Sequence, residues 1–254
     1  MGAGHAHPLY LPGGSPVHRL PAEVKIVAAL LGAVCVVATP REAFGMFAGH
    51  LLVLAAVWAV ARIPPGWILR RAVIELPFVV LAVLLPITGP GPRVDVLGVA
   101  LSEPGLLGGW NIVVKGTLGV LVSLTLAATT PLRDLLQGMQ RLHAPALVVT
   151  IATLMLRYVD LIVAEAGRMR RARLARGHDP RFLWQVGATA QGVGSLFVRA
   201  YERGERVHLA MLSRGFDGAL PRAAEGAPSR RQWLAGLAPA GAAGLLAVAG
   251  WALG

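Results

Sequence analysis

The chain has 254 residues, of which 55% are hydrophobic and only 15% charged, with a mean hydropathy of +0.62 and a formal net charge of +11. Soluble domains run at about 45–50% apolar and about 25% charged residues, so a protein embedded in lipid is the first reading. The lone cysteine, Cys35, excludes an intrachain disulfide and a thiolate metal cluster. A basic excess can serve nucleic acid, anionic lipid or an acidic protein partner, but long apolar runs are surplus to a nucleic-acid binder, and that class is set aside.

In chain order, the first 22 residues are polar and rich in Pro, Gly and His. They do not open like a signal peptide, so the apolar run that follows is expected to stay in the mature protein. About 20 apolar residues span the roughly 30 Å hydrocarbon core as a helix. Five segments fit: Val24–Thr39, Ala43–Ala61, Ala72–Thr88, Leu106–Ala128 and Trp233–Trp251. Glu75 and Pro77 lie in the first turns of the third, and Lys115 lies within the fourth. An ionisable group inside a span is a functional candidate, though snorkelling from a span's end accounts for both charges equally well.

The segment Ala146–Glu165 is apolar enough for a sixth span, but it contains Arg157 and Asp160. Thr150, Thr153, Arg157 and Asp160 make a polar stripe at helical spacing, opposite Leu147, Ile151, Leu154, Leu161 and Ile162. That pattern suits a helix at the membrane interface. Arg62, Arg70 and Arg71 place the loop after the second span in the cytoplasm, whereas the loop Gly89–Glu103 carries only Arg93 against Asp95 and Glu103. The N-terminus is then cytoplasmic, and the fourth span returns the chain to the cytoplasm near Thr129. Because the basic segment must be cytoplasmic too, parity forbids one full crossing between 146 and 165. The expectation is an all-α integral membrane protein of five spans, N-terminus inside and C-terminus outside; the alternative is six, with a crossing missed elsewhere. Three regions follow: residues 1–128, a tail and four spans; 129–232, a cytoplasmic segment; and 233–254, the last span.

The segment from 166 to 232 holds 13 arginines against five acids, most of the chain's net charge. Helices are expected over Leu132–Leu142, from Pro145 to Arg176, and from Phe182 to Arg214, where Gly177, Pro180, Gly215 and Gly218 act as stops. On the last of these Glu202 and Arg206 sit at i, i+4 spacing. Two stretches repeat at an offset of 38 residues: Ala172-Arg-Leu-Ala-Arg-Gly-His-Asp179 and Ala210-Met-Leu-Ser-Arg-Gly-Phe-Asp217. Ala, Leu, Arg, Gly and Asp match. A glycine after the last helical turn takes the left-handed conformation and caps the helix. The preceding arginine then projects from a C-terminus whose dipole favours it. Gly caps behind an Arg are common, but two with matching neighbours are not, and Arg176 and Arg214 suit insertion into grooves on a partner.

The pair Ala175-Arg176-Gly177 and Ser213-Arg214-Gly215 resembles the paired Ala-Arg-Gly signatures of energy-coupling-factor (ECF) transporter T components, with Ser213 where the family commonly has Ala. The segment Ser15-Pro-Val-His-Arg-Leu-Pro-Ala-Glu-Val-Lys25 also looks like the one that precedes their first membrane helix. The closest resemblance is to the cobalt-type, CbiQ, over residues 14 to 253. It implies a multi-pass scaffold of a prokaryotic cell (inner) membrane. Such a scaffold joins two CbiO-type ATP-binding-cassette ATPases to a CbiM-type substrate-binding membrane component, with or without a CbiN type. The arginine tips would sit in ATPase grooves and carry their closure to the substrate component.

No G-x-x-x-x-G-K-[ST] loop, H-E-x-x-H or nucleophile elbow is present, so no catalytic residue, cofactor or metal is expected in this chain, and ATP hydrolysis falls to partners. His5, His7 and His18 invite a metal reading, but a flexible polar terminus explains them, and in the resembled systems metal capture belongs to another subunit. His178 and His208 lie beside the motifs, where they could adjust docking with pH. From other classes, a lipid-phosphate transferase would need clustered Asp or His, and only Asp179 and Asp217 recur. A permease with its own path would favour broken spans such as those Pro77 and Pro86 could make.

Overall fold

The computed structural model describes residues 9–96, 99–177, 187–220 and 226–253. Its helices are α1 (Ala22–Ala38), α2 (Phe44–Ala61), α3 (Pro65–Ala72), α4 (Leu76–Thr88), α5 (Glu103–Thr129), α6 (Leu132–Arg141), α7 (Ala146–Ala175), α8 (Gly187–Leu212) and α9 (Arg230–Leu253). The chain is an all-α, multi-pass membrane protein with one departure: β1 (Arg93–Val96) pairs antiparallel with β2 (Val99–Ser102) in the loop before α5. Four helices, α2, α5, α7 and α9, are long and apolar enough to cross a membrane. The 17-residue α1 is shorter than any of these. Of the third expected span, Ala72–Thr88, only Leu76–Thr88 is α-helix: a 3₁₀ turn, Val73–Glu75, stands at its start and separates α4 from α3. Pro77 in the first turn of α4 has no N–H to continue an incoming helix, which locates the break.

Two compact units divide the chain, one of residues 9–138 and 225–254 with the other within 139–224. In the first, α1 and α2 each pack against both α5 and α9, and α4 packs on α5. Large apolar side chains point outward over this unit, among them Leu52, Ile74, Leu234 and Leu245 at 71–75% exposure. Surface of that kind is stable only in lipid or under a partner.

Named contacts give each helix its direction. Gly236 approaches Val24, and Trp251 Nε1 donates to Ala38 O at 2.8 Å, so α9 runs parallel to α1. Lys25 Nζ donates to Thr129 O at 2.9 Å and Lys115 Nζ to Val37 O at 2.7 Å, so α5 runs antiparallel to α1. Trp58 Nε1 donates to Thr125 Oγ1 at 2.7 Å while Phe47 clusters with Leu118, so α2 runs with α5. Helix α4 runs against α5, with Glu75 accepting from Thr117 Oγ1 at 2.9 Å and Ala82 close against Gly109. Thus α5 ends and α9 begins at one end of the unit, the end that carries residues 9–21. Any crossings between residues 130 and 229 must therefore come in even number. That even number matches the parity expected from the loop charges, although between residues 130 and 229, among the described residues, one helix, α7, meets the length and composition of a span.

The intramembrane charges have structural partners. Lys115 caps the carbonyl end of α1, and Lys25 caps that of α5. Leu11 N adds a bond to Ala128 O at 3.0 Å, so the N-terminal segment straps the end of α5. An apolar cavity of about 470 Å³ lies among α1, α2, α5 and α9, with Lys25, His50, Thr125 and Thr129 its polar lining residues.

Candidate docking site

The site is built from two helix ends in the unit within residues 139–224. Helix α7 buries two polar residues, Thr150 and Glu165, while Leu147, Val148, Ile151 and Met155 in its first half are exposed. That is the reverse of a soluble amphipathic helix and suits an apolar surrounding. Arg157 stays exposed, so the stripe read from the sequence is only partly inward. Helix α8 likewise exposes Val193, Phe197, Val198, Tyr201 and Leu209.

Helix α7 stops at Ala175. Arg176 is its cap, at φ −88° and ψ 11°, and Gly177 follows at φ +77° with its N–H on Leu174 O at 3.0 Å. Helix α8 ends in the same way. Gly215 takes φ +82°, its N–H bonds Leu212 O and the Phe216 N–H bonds Met211 O, each at 3.0 Å. This is a complete Schellman closure. Space around both glycines is open, so what demands glycine is the backbone conformation, not crowding. Ala175, Arg176, Ser213 and Arg214 are all exposed, and Ser213 Oγ folds back onto Ala210 O at 3.0 Å. Both expected tips therefore exist as expected: an exposed arginine at the carbonyl end of a long helix, followed by a left-handed glycine.

After α8 the chain turns back. Asp217 Oδ1 accepts from Ala219 N at 3.3 Å, and Gln140 Nε2 donates to Leu220 O at 3.1 Å. The turn between α6 and α7 helps enclose an open recess of about 600 Å³ beside Arg214, with Gln140, Ala144, Met211, Phe216 and Asp217 in its wall. His178 and Asp179, the neighbours of the first tip, lie outside the described residues, as do His5 and His7. His208 is exposed on α8. Among the described residues no three His, Cys, Asp or Glu side chains converge as metal ligands.

A further feature escaped the sequence reading. Glu165 of α7, its side chain 10% exposed, accepts from Arg199 Nη1 through Oε1 and from Arg203 Nη2 through Oε2, each at 3.2 Å. The sequence spacing pairs Glu202 with Arg206 instead; α8 turns Arg203 toward α7, and the carboxylate that takes it is Glu165. What could have pointed to Glu165 is the 38-residue offset itself, which aligns it with Arg203.

The fold and its two basic helix ends define a multi-pass membrane component with a matched pair of Arg-Gly helix tips. Residues 13–224 match the family described as cobalt transport protein, CbiQ, and the chain belongs to that family. It is similar to the cobalt transport protein CbiQ of Rhodobacter capsulatus, 33% identical over 181 residues, which cover 68% of this chain and 71% of that protein. It is also similar to energy-coupling factor transporter transmembrane proteins EcfT. That of Bacillus selenitireducens is 29% identical over 82% of each chain, and that of Bacillus subtilis 28% identical over 82% of this chain and 83% of its own. The chain is thus a transmembrane component of an ECF-type transporter.

Proposed function

We propose that this chain is the scaffold of a cobalt importer, coupling ATP hydrolysis by two cytoplasmic ATPases to a separate substrate-binding membrane subunit. The observation that carries the reading is the pair of equivalent tips, Arg176-Gly177 and Arg214-Gly215, each at the end of a long helix with its arginine exposed. A planar fork of five donors suits carboxylates and carbonyl oxygens on a partner surface. The end of the membrane unit that carries residues 9–21 is then the cytoplasmic one, and residues 129–232 form the coupling segment. The ATPases are of CbiO type and the substrate subunit of CbiM type. Cobalt as cargo rests on the names of the family and of the Rhodobacter relative, since cargo is selected by another subunit; nickel or a vitamin is the competing cargo.

The test is cobalt uptake in cells that express the chain with its complete set of partner components. Uptake is expected to need all components and to be lost in Arg176→Glu/Arg214→Glu. Uptake of nickel or a vitamin in place of cobalt would reassign the cargo, and uptake undiminished in the double variant would refute the coupling role.

A further inference from the structure

The two tips are related through the Glu165 contact. Extending the 38-residue offset beyond the original eight positions also pairs Arg168 with Arg206, and it pairs Glu165 with Arg203. Glu165 stands 11 residues before Arg176, and Arg203 stands 11 residues before Arg214. So the residues that bond between α7 and α8 occupy the same position in each repeat.

The helices meet antiparallel. Glu165 touches Arg199 and Arg203, whereas Met169 and Arg173, further along α7, lie against Gly192, earlier on α8. In a two-fold arrangement a residue meets its own counterpart only on the axis. A local two-fold relating the two repeats would have its axis at the contact between Glu165 and Arg203. Each tip lies about 16 Å from it at 1.5 Å per residue, on opposite sides. The two arms are equal in length and each ends in Arg-Gly.

The chemistry at the axis is asymmetric in a useful way. Identical residues there would repel if charged. Here one repeat supplies a carboxylate and the other two arginines a turn apart, so each oxygen of Glu165 takes its own guanidinium. Glu165 is nearly buried, which makes the pair costly to break from one side only.

We propose that Glu165, held by Arg199 and Arg203, is a positioning residue: the pivot on a local two-fold that fixes the spacing of the two arginine tips to match two equivalent sockets on a symmetric pair of partner subunits. Glu165 itself touches no partner subunit; it acts through the geometry of the arms. The inference rests on the proposed docking role of the tips, and two separate readouts keep the two claims apart.

The experiment places spin labels at the equivalent exposed positions Leu174→Cys and Leu212→Cys, in a Cys35→Ser background of the full chain. The distance between them is measured by pulsed electron paramagnetic resonance, and the ATPase retained on co-expression is measured in parallel. The unaltered pivot is expected to give one narrow distance. Glu165→Arg is expected to shift or broaden it by at least about one helical turn, 5 Å, and to lower ATPase retention. The triple exchange Glu165→Arg/Arg199→Glu/Arg203→Glu is expected to restore both. An unchanged distance in Glu165→Arg, or no restoration by the exchange, would overturn the pivot. A distance that responds while retention never changes would keep the pivot and its axis as a structural device and overturn its role in matching partner sockets; should Arg176→Glu also leave retention intact, the docking reading falls with it.

Discussion

At the scale of single residues, the glycines of the two tips matter for conformation and the arginines for chemistry. Gly215 sits at φ +82° with no atom near the position of a Cβ. Gly215→Ala therefore meets no clash but must hold a left-handed backbone, at a cost of about 1 kcal/mol. Asparagine tolerates that conformation better. Hydrogen exchange of the Phe216 N–H, which closes the cap on Met211 O, reads this directly. Protection is expected to fall by about fivefold for Gly215→Ala and less for Gly215→Asn; equal losses would mean that crowding, not backbone conformation, selects the glycine. These positions were legible in the sequence because a glycine cap is a local device, decided by a residue and its immediate neighbours. Glu165 was not, because its partners lie 34 and 38 residues away and only the packing of α8 on α7 brings them together.

At the scale of elements, the N-terminal segment behaves as a folded strap. Ser15 is buried, and its Oγ lies 2.6 Å from His18 Nδ1, while His18 Nε2 lies 3.1 Å from Leu11 O. The carbonyl can only accept, so Nε2 carries the proton and Ser15 donates to Nδ1. Burial lowers the His18 pKa below the usual 6.5, the Leu11 carbonyl opposes this, and the charge of Lys25 adds to it. The folded strap thus favours neutral His18. Its contribution is complete above the unfolded value and is lost as pH falls through the lower folded one. Exchange of the Leu11 N–H, bonded to Ala128 O, is expected to accelerate beyond its intrinsic pH dependence when pH drops from about 7.5 to about 5. In His18→Gln that extra pH dependence should vanish; if it persists, another group is the source. Most helices were readable from apolar runs and glycine or proline stops, to within a few residues. Three elements were not. Helix α3, Pro65–Ala72, lies where the arginines mark only a loop. The hairpin Arg93–Ser102 is too short for its alternation to stand out from a loop, and the 3₁₀ turn at Val73–Glu75 sits at the start of a mostly apolar run that reads as helix.

At the scale of the whole molecule, loop charge and helix packing agree on parity by independent routes. Arginines in the loops set it in the sequence; Lys25 on Thr129 O, Lys115 on Val37 O and Trp251 on Ala38 O set it in the packing. Single cysteines in a Cys35→Ser background, probed with an impermeant maleimide, test it. Gly14→Cys and Ser229→Cys are expected to label from one side of the membrane, and Arg41→Cys and Ala252→Cys from the other. Labelling of Gly14→Cys and Ala252→Cys from the same side would contradict the parallel course of α1 and α9. The central claim is that two equivalent arginine tips hold the ATPases. It is tested most directly by purifying the chain from membranes that contain its partner ATPases and measuring the ATPase retained per chain. Near-stoichiometric retention of two ATPase subunits is predicted for the native chain, partial loss for Arg176→Glu or Arg214→Glu alone, and loss of nearly all for the double variant. Full retention by the double variant would contradict the claim.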